Sequence, residues 1–164
     1  MESINQLGRE QFVERFGPLF EHSPWIAEDA WADRPFADAD ELFEALRAAM
    51  YSAPRDRQLA LIRAHPDLAG KAAIEGSLTR SSEREQASAG LDRLTPDEYE
   101  AFTRANAAYR DRFGFPFVVC VREHTPESIL AWGEQRLSRS AEEELATAIG
   151  EIAKIARLRL KERP

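Results

Sequence analysis

With 164 residues, 43% of them hydrophobic and 31% charged, the chain is long enough to bury a core without metals or disulfides and too apolar for disorder. A net charge of −7 argues against nucleic acid or an anionic membrane surface as partner, since either would want a basic face, while a local cationic pocket stays possible. The single Cys120 excludes an internal disulfide and a cysteine-based metal cluster, and the absence of a leader, of an apolar run of roughly twenty residues and of a retention tail makes a cytoplasmic protein the expectation.

The chain opens with apolar spacing that predicts helices over 9–20, 24–33, 38–52 and 54–65, the third started by Asp38 with Glu41. The fourth carries Leu59 and Ile62 on its core-facing stripe, His65 is the next position on that stripe, and Pro66 stops the helix. An irregular stretch then runs to "SSEREQ", where Ser82 reads as an N-cap and Glu85 as its capping-box glutamate. Thr95, Pro96 and Glu98 form a stronger start signal, and Tyr99, Phe102, Tyr109 and Phe113 share one face of the helix that follows. "FGFPFVVCVR" is β-branched and aromatic, but Pro116 breaks a helix and no partner strand is evident, so a buried extended segment is expected near 115–121. Thr125-Pro126 and Ser140 with Glu143 open the last two helices, and Leu145, Ile149, Ile152 and Ala156 stripe the final one. The predicted fold is an all-α, single-domain bundle over residues 1–164, of about seven to eight helices.

Three polar residues interrupt apolar stripes: His65, Asn106 and Arg159, whereas Arg157 shares the outward face of Lys154 and Lys161. A buried polar group without a partner costs a few kcal/mol, roughly, so each needs a hydrogen-bond partner or a ligand. Ordinary roles exist for all three. His65 can bond the last carbonyls of its helix, Asn106 can bridge to a neighbouring backbone, and Arg159 can be solvated near the chain end. Ser82, Glu85 and Gln86 offer a second cluster at a helix N-terminus, where N–H groups favour an anion and a glutamate near a histidine would orient the ring and favour its charged form.

Sharper motifs fail. "LAGKAA" lacks the upstream glycine and following hydroxyl of a phosphate-binding loop, there is no Gly-x-Ser-x-Gly, and Cys120 inside "FVVCV" reads as core. His22 and His124 lie in segments unrelated to His65, so no metal site is expected.

"HPDLAGK" at 65–71, "LTRSSEREQASAGLD" at 78–92 and "NAAYRDRFGFPFVVCVR" at 106–122 together resemble the signature blocks of the OHCU decarboxylase family, and the likeness extends to the closing "RLRL". The resemblance implies an all-helical homodimer, free of cofactor and metal, that converts 2-oxo-4-hydroxy-4-carboxy-5-ureidoimidazoline (OHCU) to (S)-allantoin and carbon dioxide in urate breakdown. It implies His65 as proton donor and Glu85 as its acidic partner. Pro66, Ser82, Gln86 and the backbone of Phe117, Val118, Val119, Cys120 and Val121 would contact the substrate, and so would a C-terminal arginine. Helical facing selects Arg159 over Arg157 for that part. Association with urate oxidase and hydroxyisourate hydrolase would fit the same chemistry. The alternatives are a helical interaction module without catalysis, which predicts a broad exposed apolar patch, and a paralogue that decarboxylates another ureido acid.

Overall fold

The computed structural model describes residues 1–163, apart from the side chain of Ala72. Every regular element among them is helical, so the fold is all-α. The helices divide between two compact units, one made of residues 1–64 with the chain from 153 onward, the other of residues 65–152.

The first unit holds α1 (Glu2–Asn5), α2 (Arg9–Phe16), α3 (Trp25–Ala30), α4 (Ala39–Ser52) and α5 (Arg55–Arg63), with 3₁₀ turns over Gly17–Leu19 and Trp31–Asp33. α2 to α5 match the sequence reading, except that two of the predicted helices end in a tighter 3₁₀ turn, and α1 lies ahead of the first helix the sequence predicts. Phe12, Phe16, Leu19, Ile26, Leu42, Leu46, Met50, Leu61 and Ile62 are the buried core, and α3 packs along α4. α4 starts where Asp38 accepts from the Glu41 amide, 2.9 Å away. α5 stops at Arg63 and turns through Ala64. Pro66 explains the stop, because the residue before a proline is pushed out of the helical region. His65 therefore lies beyond the helix rather than in its last turn.

The second unit holds α6 (Lys71–Glu75), α7 (Arg80–Ser88), α8 (Pro96–Phe113), α9 (Pro126–Leu137) and most of α10 (Ala141–Lys161), which continues into the first unit. α6 falls inside the stretch expected to be irregular. α7 begins earlier than predicted: Thr79 is its N-cap, accepting from the Ser82 amide at 3.3 Å. Ser82 is thus the third residue of the helix rather than its cap, and Glu85 has no capping-box role. The other start signals hold. Thr95 and Glu98 form a reciprocal box on α8, Thr125 and Ser128 on α9, and Ser140 and Glu143 at the head of α10. α8 ends at Gly114, whose φ of 76° is the left-handed conformation that favours glycine. Phe115 and Phe117 to Val121 then run buried and without strand pairing, as the proline in "FGFPF" suggests, before a short 3₁₀ turn over Val121–Glu123. α8 packs along α9.

Candidate active site

The second unit gathers the corner after α5, one face of α7 and the segment 117–121. His65 is 7% exposed, and Ser82, Glu85, Gln86 and Asn106 are equally buried, while Pro66 is half-buried. Ser82, Glu85 and Gln86 share one side of α7 because they stand at helical spacing. α7 also packs against the Val121–Glu123 turn, which carries the buried 117–121 segment to the same helix.

The corner itself is clamped by side chains. The Gln86 Oε1 accepts from the Ala69 amide at 3.0 Å, and its Nε2 donates to the Asp67 carbonyl at 3.4 Å. Asn106 Nδ2 donates to the Leu68 carbonyl at 2.9 Å, which is the bridging role its position in the stripe suggested. Arg110 Nε holds the Asp67 carboxylate at 3.0 Å. Ala69 adopts a φ of 50°, rare for a residue with a side chain, and a Cβ on Gly70 would come within 2.8 Å of Asp67 Cβ. Three side chains and a glycine therefore fix the tight turn that follows His65. Gln86 is committed to this turn through both ends of its carboxamide, and its second Nε2 hydrogen is what it can offer a ligand.

Arg159 belongs to the first unit, where its guanidinium donates to Glu21 at 2.9 Å and to the Leu19 carbonyl at 3.3 Å. It is buried, not frayed into solvent; Arg157 is half-exposed, paired with Asp40 and stacked over Phe43. The facing argument that separated the two arginines agrees with their burial.

Sequence reasoning missed a set of buried charges in the second unit. Arg136 and Glu144 are both fully buried, with Arg136 Nε donating to Glu144 Oε1 at 2.5 Å and Tyr109 OH donating to the same oxygen at 2.6 Å. Burial, and then the bond to Glu144, push the Tyr109 phenol well above the usual tyrosine range. Glu151 is also buried and accepts from the Cys120 amide at 3.4 Å. One atom each from Glu123, His124 and Glu151 lie within 4.8 Å of one another, but His124 Nδ1 meets the Ser128 hydroxyl at 3.1 Å and its ring stacks on Trp132. The grouping braces the chain around 120–124. A cavity of about 550 Å³ lined by Ala69, Ile74, Gln86, Leu91 and Tyr99, among others, borders the clamp but includes neither His65 nor Glu85.

A model of the OHCU decarboxylase family matches residues 5–161. The chain belongs to that family. It is 47% identical over 163 residues to the 2-oxo-4-hydroxy-4-carboxy-5-ureidoimidazoline decarboxylase of Haloferax volcanii, covering 99% of this chain and 95% of that one. The mouse enzyme of the same name is 40% identical, covering 98% and 90%. In Bacillus subtilis the bifunctional uric acid degradation protein PucL is 39% identical over 160 residues, and there the match takes up 32% of the longer protein. A crystal structure of (S)-allantoin synthase superposes with a TM-score of 0.77 at 29% identity, and this chain spans 52% of that one. A second, of OHCU decarboxylase in the presence of (S)-allantoin, gives 0.73 at 19% identity and supports the fold.

No helix among the described residues is long and apolar enough to cross a membrane.

Proposed function

We propose that this chain decarboxylates OHCU to (S)-allantoin, with His65 as the stereochemical proton donor. The observation that carries this reading is the burial together, in one unit, of His65, Ser82, Glu85 and Gln86 in a chain whose family match runs from residue 5 to 161. Buried polar side chains at this density ask for partners or a ligand. The enzymes named above supply a ligand class, a small anionic ureido acid.

The chemistry follows from what the substrate carries. The carbon–carbon bond to its carboxylate breaks, carbon dioxide leaves, and the electron pair passes into the adjoining carbonyl and imine system of the ring. The neighbouring ureido-bearing ring carbon then takes a proton from His65, while the hydroxyl on the carbon that lost the carboxylate gives its proton to solvent and becomes the carbonyl of allantoin; His65 is recharged from solvent. The protein has to position the ring, polarise its oxygens and deliver the proton to one face. Glu85 orients His65; Pro66, Ser82 and the second Nε2 hydrogen of Gln86 contact the ureido and ring edges, as does the backbone of 117–121. For Arg159 the proposed part is to meet anionic or carbonyl oxygens, with the Glu21 carboxylate fixing the plane of its guanidinium. The working form we propose is a cytoplasmic homodimer that takes its substrate from urate oxidase and hydroxyisourate hydrolase.

The test is circular dichroism of a urate mixture containing those two enzymes. Adding this protein should make optically active allantoin appear quickly; racemic product at the spontaneous rate rejects the reading. His65→Asn should cost about 10²- to 10⁴-fold in turnover, the usual worth of general acid catalysis, with its melting unchanged because His65 lies outside α5. Glu85→Gln keeps the shape and removes the charge, and full activity there would remove Glu85 from the mechanism.

A further inference from the structure

Arg136 stands out among the buried charges because each of its donor positions has an assigned place. Nε donates to Glu144 at 2.5 Å, Nη2 to the Tyr109 hydroxyl at 3.3 Å, and Nη1 to the carbonyl of Val118 at 2.7 Å. The rings of Phe117, Trp132 and Tyr109 lie around the guanidinium, with centroids 4.7, 5.0 and 5.6 Å from its central carbon. Glu144 is fixed in turn by Tyr109 and, through its other oxygen, by Arg139 at 3.4 Å.

Such an arrangement is a poor device for stability alone. A buried ion pair can often be replaced by apolar side chains of similar volume at no loss, because desolvation offsets the attraction. What apolar side chains cannot do is hold a peptide group at a set rotation. Here the peptide held is Val118, and two residues on the Cys120 amide is held by Glu151. In an extended chain, polar groups two residues apart lie on the same edge, and those of the residue between them lie on the other. That residue is Val119. It is 3% exposed, yet among the described residues neither its N–H nor its C=O makes a hydrogen bond. Buried backbone groups are nearly always paired, so this one points to a ligand.

We propose that Arg136, Glu144 and Tyr109 are positioning residues that set the rotation of the 118–120 peptides, so that Val119 presents its N–H and C=O to the substrate. A cyclic ureide carries a complementary carbonyl and N–H side by side, the pattern a single peptide edge can read. The inference extends the decarboxylase reading and depends on it.

The test compares the wild type with an Arg136→Met, Glu144→Gln double variant, which removes both charges together, and with Tyr109→Phe, which removes one hydroxyl. All are measured in the coupled allantoin assay, alongside melting curves and backbone amide spectra during titration with (S)-allantoin. The double variant should stay helical and lose about 10²-fold in kcat/KM, the scale of a displacement of roughly 1 Å, with KM carrying much of the change. Tyr109→Phe should lose about tenfold. The Val119 amide should shift on titration in the wild type and not in the double variant. A folded double variant with wild-type kcat/KM and an unchanged Val119 response overturns the proposal. If the double variant does not fold, Tyr109→Phe decides: wild-type kinetics there overturn it, and a raised KM at unchanged melting supports it. A wild type that makes no optically active allantoin sinks the functional reading itself, whereas an active wild type with equally active variants sinks only the positioning role.

Discussion

Asn106 and Gln86 reach the backbone of the 67–69 turn from different helices, α8 and α7, and use the same group to do it. A carboxamide can donate and accept at once, so it suits a tight turn whose peptide groups face inward. Asn106→Leu would leave the Leu68 carbonyl buried without its donor, and a loss of about 1–3 kcal/mol is expected in urea unfolding. If the turn steadies His65, kcat should fall more than KM in that variant. Asn106 was legible in the sequence because it breaks an apolar stripe. The clamping role of Gln86 was not, since its partners are backbone groups seventeen and nineteen residues away, and only the fold brings them near. Tyr109 gives a pH prediction of definite sign. Its folded-state pKa is raised, so the contribution of the neutral phenol is complete below the ordinary tyrosine value, about 10, and erodes as pH rises beyond it. Melting temperatures at pH 9 and pH 11 should diverge more for the wild type than for Tyr109→Phe, and parallel losses would contradict this.

Helix starts were the best-read elements, because a cap is a local event decided by four residues. At the head of α8, Thr95→Ala removes the hydroxyl that accepts from the Glu98 amide, leaves the bond from its own backbone N–H to the Glu98 carboxylate, and should cost about 1 kcal/mol by thermal melting. At the head of α10, hydrogen bonds from the Ser140 backbone and hydroxyl hold the Glu143 carboxyl below the usual range. Its folded pKa is depressed, so its contribution is present above the ordinary glutamate value and fades as pH falls through the folded one. The advantage of the wild type over Glu143→Ala should therefore shrink on acidification, in melts between pH 7 and pH 3. α7 was misread because "LTRSSERE" offers two overlapping start signals, and the better-looking pair, Ser82 with Glu85, lost to Thr79. α6 was missed because five residues are too few to show a period.

At the scale of the whole chain, the all-helical class was plain from the repeated caps and the 3.6-residue stripes. The buried charges were not. Arg136 sits in "GEQRL" and Glu144 in "AEEEL", where neighbours of the same kind are exposed, and nothing local marks the one that faces inward. Their burial is decided by packing between α8, α9 and α10, which a single stretch of sequence does not contain. Cys120 offers a probe of that packing. It is 1% exposed in the segment the buried charges hold, so it should react with a thiol reagent only when the second unit opens. Labelling that is fast under native conditions would show that the segment opens on its own.

One consequence of the Thr79 cap concerns engineering. A helix started by one residue and used through others separates the two demands that active sites often force onto the same side chains. Substitutions at Thr79 should change how well α7 survives heating, while substitutions at Ser82 and Glu85 are free of the capping penalty that the sequence pattern suggested. A library built at those two positions could search for new ureido acids without first melting the helix that carries them.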